Sequence, residues 1–388
     1  MSLYDFAPKA EDKDIDKIID ETMRIGIFTY HRSRNYGAVL QAYGLQEFLI
    51  QKGHEVYIID IPDYRVKDGF KIEFLNLLKN YSSLVYIKYK LKKLFTQHIR
   101  TKRRRRFRNF VENNLRLKRT DVLKRNSFFD VFIYGSDQIW NPIITNGIAP
   151  VLVGAVPAAM GKKLIAYAAS VGHNDNLGYK DIEVLQKEIR RFDSVSVREP
   201  SLKSIIGGYF KGDIPVVLDP VLLAGRGVFE PLYAGIKNTE LNKPYLLLFT
   251  LARDEFAIEK AKVIAKEKGL DIIEIVSSIE TIKIRNIKQT ESVYNFLYYI
   301  ANANYVIATS YHGMVLSILF EKDFNVLFEN ERYMERSVSV LENLGIKERL
   351  VCGETENVVT TSIDYSEVNI RLDELRNESG EFLLKALS

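Results

Sequence analysis

Four successive apolar runs between Val131 and Leu218 each end in polar or charged residues. Val131–Tyr134 runs into Gly135-Ser136-Asp137-Gln138, and Leu164–Ala169 into Ser170-Val171-Gly172-His173. Ser194–Val197 runs into Arg198-Glu199, and Pro215–Leu218 into Asp219-Pro220. Short apolar runs without alternation are the pattern of strands buried on both faces. The opening supplies the rest of the rhythm. Arg24–Tyr30 reads as a strand, His31–Gly37 as a loop, Ala38–Lys52 as a helix capped by Gly53, and Glu55–Asp60 as a strand. This order predicts an α/β fold with a doubly wound parallel sheet, which binds ligands beyond the carboxyl ends of its strands.

The rhythm starts again after Pro244. Strands are expected at Tyr245–Phe249, Asp271–Val276, Tyr305–Ala308 and Asn325–Phe328. Helices are expected at Glu255–Lys268, Val293–Ala303 and Met314–Phe320. A chain of 388 residues is in any case long for one domain. The expectation is therefore two Rossmann-like domains facing a cleft. Residues 1–22 form an acidic leader. Residues 23–222 form the N-terminal domain, with a basic helical insertion at about 70–125. Residues 223–243 are the linker, 244–365 the C-terminal domain, and 366–388 a helix crossing back to the first domain.

Several function classes fall away. Cys352 is the only cysteine, so neither an intramolecular disulfide nor a Cys-rich metal site can form. The histidines 31, 54, 98, 173 and 312 have no metal-binding spacing, and no metal or cofactor is expected. Neither a P-loop nor a clean G-x-G-x-x-G is present. The acidic start does not read as a signal peptide, and the longest apolar stretch, 148–160, is too short and too Pro-broken to span a bilayer. A cytoplasmic protein is expected, peripheral at the inner membrane face. The net charge of +5 has one source: 16 Lys and Arg against two acids between Lys88 and Arg125. The segment 88–108 interleaves these with aromatic and aliphatic residues, as an amphipathic helix on an anionic membrane does. Nucleic acid is the rival partner, but no nucleic-acid module accompanies the segment, and none is expected to bind.

The site candidates sit at strand ends. Asn35 and Gly37 start a helix whose free N–H groups suit an anion. His312 can exchange a proton near neutral pH, and Gly313 lets backbone approach a ligand. Arg198 emerges from a buried strand as a fork for carboxylate or phosphate, or as half of a structural ion pair. Asp137 and Gln138 emerge likewise, as base, sugar ligand or helix cap. Trp140 reads as packing or as a platform for a sugar ring.

In order along the chain, Asn35-Tyr36-Gly37-Ala38-Val39-Leu40-Gln41, Gly135-Ser136-Asp137-Gln138-Ile139-Trp140-Asn141, Tyr167-Ala168-Ala169-Ser170-Val171-Gly172, Ser196-Val197-Arg198-Glu199, Leu218-Asp219-Pro220 and Thr309-Ser310-Tyr311-His312-Gly313 resemble the polysaccharide pyruvyl transferase family. The resemblance spans about Met23 to Phe328 and leaves out residues 1–22 and the basic stretch. It implies a fold similar to GT-B glycosyltransferases. It also implies transfer of a pyruvyl group from phosphoenolpyruvate to two hydroxyls of a sugar, as in exopolysaccharide or capsule synthesis, with no metal or nucleotide. By resemblance His312 is the acid/base and Arg198 anchors the donor. Asn35, Gly37, Ser170, Gln138, Ser310 and Gly313 line the cleft, and Asp137 faces a saccharide acceptor, expected to be lipid-linked. One departure stands out. The family pattern has Arg two positions before the His, where this chain has Ser310; Arg32, Arg34, Arg332 and Arg336 are the substitutes at hand. The competing readings are a GT-B glycosyltransferase using a nucleotide sugar, suggested by the spacing of Glu321 and Glu329, and a non-enzymatic membrane or nucleic-acid binder built on the basic stretch.

Overall fold

The computed structural model describes residues 22–60, 95–236, 243–279, 287–329, 334–353 and 358–388. It contains two parallel six-stranded sheets. The first is built from β1 (Arg24–Phe28), β2 (Glu55–Asp60), β3 (Leu117–Arg119), β4 (Val131–Asp137), β5 (Lys163–Ala169) and β6 (Ser194–Val197), in the order β3-β2-β1-β4-β5-β6. The second is built from β7 (Tyr245–Thr250), β8 (Asp271–Val276), β9 (Ile287–Lys288), β10 (Tyr305–Ala308), β11 (Phe324–Phe328) and β12 (Leu350–Cys352), in the order β12-β11-β10-β7-β8-β9. Counted from its own first strand, each sheet has the doubly wound order 3-2-1-4-5-6. Each therefore has a switch point, between β1 and β4 and between β7 and β10, where a crevice opens. The chain has the two Rossmann-like domains expected of it.

Local chemistry accounts for the boundaries. The first helix covers Tyr36–Gln51, two residues earlier than the apolar spacing suggests, because the Asn35 side chain accepts from the Ala38 N–H and caps it. The helix expected at Met314 starts at Tyr311, with Ser310 accepting from the Gly313 N–H. Pro215–Leu218 is not a strand of the ladder. Only Val216 bridges to Val197, and Pro215 has no N–H to donate. The basic insertion is not helical throughout: a helix covers Gln97–Asn114, and Leu117–Arg119 pairs with β2 as an edge strand. Residues 1–21 and 61–94 lie outside the described residues. The segment 220–236 carries the short helices Pro220–Ala224 and Arg226–Tyr233.

One apolar cluster runs through both domains, joining Ile25, Val39 and Leu222 to Leu247, Phe296 and Met314. Tyr36 is its pin. Its ring stacks on Phe296 with centroids 4.1 Å apart, and its hydroxyl donates to the Glu291 carbonyl at 2.9 Å. Such a ring pair adds about 0.5–1.5 kcal/mol beyond the area it buries. The final helix, Tyr365–Leu387, starts on the second domain, where Tyr365 OH donates to the Lys322 carbonyl at 2.6 Å. It ends on the first, where Ser379 Oγ accepts from the Leu218 N–H at 3.0 Å and the Leu387 carbonyl accepts from Lys163 Nζ at 2.9 Å.

Candidate active site

The carboxyl ends of the two sheets meet over Arg198. This residue follows β6 directly and is 2% exposed. A buried guanidinium needs a counterion. Asp219, fully buried as the cap of the Pro220–Ala224 helix, provides it at 2.7 Å, and Asp137 lies 3.9 Å away on the other side. Ser136 Oγ accepts from the same guanidinium. Arg198 Nε and Nη1 nevertheless have no hydrogen-bond partner among the described residues. Burial alone pushes the Asp219 carboxyl up, but Arg198 and then His312 more than offset this and hold it at about 2.

The second domain contributes His312 and Tyr311, both in the first turn of the helix after β10. His312 Nε2 lies 3.4 Å from Asp219 Oδ2, a charge contact at an angle that makes no hydrogen bond. Gly37, in the first turn after β1, gives the imidazole its room. A Cβ on Gly37 would lie 2.2 Å from the His312 Cγ and Nδ1 atoms. Tyr311 presents its ring to two guanidinium groups, with Arg198 Cζ 5.1 Å and Arg336 Cζ 5.0 Å from its centroid. Burial pushes its hydroxyl far up, so Tyr311 stays neutral.

The structure brings together His312, Arg198, Asp137 and Gly37. The other candidates stand behind or beside them. Ser170 is fully buried and donates to Glu199 Oε1 at 2.6 Å, an oxygen that also accepts from the Val171 and Gly172 N–H groups. Burial raises the Glu199 carboxyl, partly offset by Arg336, Ser170 and Arg198. Gln138 Oε1 accepts from Asn141 Nδ2 at 2.7 Å and packs over Gly172. Asn35 is exposed, and its oxygen is used in the helix cap. Ser310 is likewise used as a cap. Gly313 does not open toward a ligand, because a Cβ there would meet Ala308 and Phe249 of the second sheet at 2.6 and 2.9 Å. Trp140 is fully buried and donates to the Leu152 carbonyl at 2.9 Å, so it packs and offers no sugar platform.

Four residues of the cleft were not picked out as site residues from the sequence: Asp219, Ser136, Tyr311 and Glu199. Asp219-Pro220 carried the one usable signal, an acid placed to cap a helix. Of the four substitute arginines, Arg32 is half-exposed and bound to Asp60 through Nε and Nη2, each at 2.6 Å. Arg34 gives its carbonyl to Arg103, Arg332 lies outside the described residues, and Arg336 reaches Tyr311. Among the described residues, no group of three or more His, Cys, Asp or Glu side chains is placed to hold a metal ion. Glu321 and Glu329 sit beyond opposite ends of β11 and do not converge on one ligand.

A sequence profile of polysaccharide pyruvyl transferases matches residues 35–327, a span that includes every residue of this cleft except Arg336. The chain belongs to the polysaccharide pyruvyl transferase family. It is accordingly a transferase. No curated protein sequence matches the chain. Solved structures similar to it include a UDP-GlcNAc 2-epimerase from Neisseria meningitidis bound to UDP-GlcNAc, 10% identical over 94% of this chain and 99% of that one, with a TM-score of 0.47. A putative UDP-N-acetylglucosamine 2-epimerase from Listeria monocytogenes is 12% identical over 94% and 91%, with a TM-score of 0.45. A glycosyltransferase from Streptomyces nogalater is 13% identical over 93% and 96%, with a TM-score of 0.42. These are likenesses only; the fold assignment rests on the strand order of the two sheets.

Proposed function

We propose that the protein transfers a pyruvyl group from phosphoenolpyruvate to two hydroxyls of a sugar in a surface polysaccharide repeat unit, forming a ketal. The observation that carries this reading is Arg198, a buried cation whose Nε and Nη1 have no hydrogen-bond partner among the described residues and whose counterion Asp219 also meets an imidazole. Orphaned donors in a buried cleft call for an anionic ligand. The imidazole supplies the proton transfer that an enol phosphate requires.

The chemistry needs no nucleotide or metal. His312 Nε2 gives a proton to C3 of phosphoenolpyruvate, and C2 becomes oxocarbenium-like. One sugar hydroxyl adds to C2, phosphate leaves, and the second hydroxyl closes the ring. Of the two hydroxyl protons released, one replaces the proton given to C3 and the other leaves with phosphate. Arg198 offsets the charge of the donor, and the Asp219 carboxylate stabilises His312 when it is protonated. Asp137, 3.9 Å from Arg198, accepts a proton from the sugar in this reading.

The acceptor is assigned as lipid-linked, with the enzyme docked on the inner face of an anionic membrane. The support is the outer face of the Gln97–Asn114 helix, where Lys102, Arg104, Arg105 and Arg108 are exposed. Among the described residues no helix is long and apolar enough to cross a membrane.

Thermal unfolding with phosphoenolpyruvate tests the donor. At a hundredfold excess over its dissociation constant, a ligand of the folded state adds about 2.7 kcal/mol. The His312→Gln variant should keep this shift while losing about 10²–10⁴-fold in turnover. Stabilisation by a nucleotide sugar and not by phosphoenolpyruvate would replace this reading with glycosyl transfer.

A further inference from the structure

Where the family pattern has Arg this chain has Ser310, and Arg336 reaches the same cluster through Tyr311, the residue next to Ser310. Arg336 lies in the first turn of the Glu335–Leu344 helix, where the free N–H groups add partial positive charge. It is 8% exposed, and its Nε has no hydrogen-bond partner among the described residues. The same holds for the Tyr311 hydroxyl and for Arg198 Nε and Nη1. Tyr311 is the shared wall, with one guanidinium 5.1 Å and the other 5.0 Å from its ring centroid.

Two details argue against a merely structural Arg336. Its neighbour Glu335 is turned away, accepting from the Ser201 N–H at 2.8 Å and from the Ser201 hydroxyl. That bond ties the start of the helix to the first domain and leaves Arg336 to the cleft. Arg336 is the charge that most offsets the burial of Glu199, whose Oε1 takes three donors and whose Oε2 has no hydrogen-bond partner among the described residues, but no carboxylate of the described residues forms an ion pair with Arg336. A buried guanidinium with a free Nε and no direct ion pair among the described residues can take an anion.

We propose that Arg336 is the second donor-binding cation, so that Arg198 and Arg336, separated by the Tyr311 ring, hold the two anionic ends of phosphoenolpyruvate. This rests on the donor assignment above. It makes Ser310 a relocation of charge within the site rather than a change of donor.

The test is calorimetric titration of phosphoenolpyruvate into the full chain and its Arg336→Met and Arg336→Lys variants, with ligand-free melting recorded for each. Arg336→Met should weaken phosphoenolpyruvate by about tenfold or more at a temperature where its ligand-free melt shows it folded, with a lowered melting point because the buried Glu199 loses its main offsetting charge. Arg336→Lys, which keeps the charge but not the fork, should fall between. Unchanged affinity in Arg336→Met overturns the inference and leaves the donor assignment standing. A wild-type protein that does not bind phosphoenolpyruvate overturns both. A second measurement needs no variant. Phosphoenolpyruvate should protect Arg336 of the wild-type protein from phenylglyoxal, read by mass spectrometry of its peptide. Equal labelling at saturating ligand overturns the inference.

Discussion

Arg103 and Arg198 are both buried, and both reach from one domain to the other, but they end on different chemistry. Arg103, on the inner face of the basic helix, donates to the Arg34 carbonyl of the first domain at 2.8 Å and to the Ser277 carbonyl of the second. Arg106 beside it donates to the Thr290 carbonyl at 2.6 Å. Arg198 meets two carboxylates and the Tyr311 ring of the second domain. Each arginine has an Nε without a hydrogen-bond partner among the described residues, but only Arg198 also keeps its Nη1 without one. Backbone carbonyls do not exchange for a ligand, so the first arrangement is a clasp. An arginine set against ionisable side chains, with a whole terminal nitrogen free of hydrogen bonds, can take an anion, so the second is a receptor. The segment that dominates the charge of the chain therefore serves assembly on its buried side, and a single arginine at a strand end serves chemistry.

The sharpest way to break this contrast is at Asp219. Asp219→Asn keeps the helix cap but strips Arg198 of its counterion, and should cost about 3–5 kcal/mol in urea unfolding. The sign of its pH dependence is fixed. The Asp219 carboxyl sits at about 2 against an ordinary 3.8, so its stabilisation is complete above pH 4 and is lost as pH falls toward 2. The loss is on the order of 2 kcal/mol, and Asp219→Asn should remove it. Glu199 runs the other way, because a raised carboxyl favours the folded state as it takes up its proton. A wild-type acid limb as shallow as that of the variant would show that Arg198 is not held as described.

Next in size is Gly37→Ala. The added methyl falls 2.2 Å from the imidazole, so His312 must move, at about 1–3 kcal/mol in stability and on the order of 10² in turnover. Unaltered kinetics would separate His312 from the chemistry. Arg103→Met should cost about 1–3 kcal/mol, since two buried carbonyls lose their donor, with phosphoenolpyruvate affinity unchanged. A loss of affinity there would erase the distinction between clasp and receptor. The smallest effect on stability belongs to the outer face of the same helix. Replacing Lys102, Arg104, Arg105 and Arg108 by Gln should change stability by less than about 0.5 kcal/mol. It should still weaken binding to anionic vesicles by about 1 kcal/mol per charge removed. Wild-type protein that ignores such vesicles at physiological salt removes the membrane assignment.

Much of this was legible before any coordinates. The strands β2, β6, β8 and β10 fall on the residues expected of them, because each is a run rich in β-branched or aromatic residues and is bounded by loop residues. The short edge strands Leu117–Arg119, Ile287–Lys288 and Leu350–Cys352 carry no such run and owe their conformation to the neighbour they pair with. β4 continues through Gly135-Ser136-Asp137 because Gly135 places no Cβ against the Tyr167 carbonyl, which would be 2.0 Å away. The position of His312 shifted from loop to helix because Ser310 caps three residues earlier than the apolar pattern begins. Arg198 and His312 were legible as strand-end residues. That both meet Asp219 was not, because the meeting depends on how two domains far apart in sequence face each other.

The last helix also has a mechanical consequence. The chain passes from the first sheet to the second once before β7, and returns once along Tyr365–Leu387. Two bodies joined at a single point can swivel in any direction, whereas two joined at separate points keep only the turn about the line between them. The Tyr36 pin, the Arg103 clasp and the Glu335–Ser201 tie add further joints between the same domains, so His312 is held over Asp219 rather than left to swing.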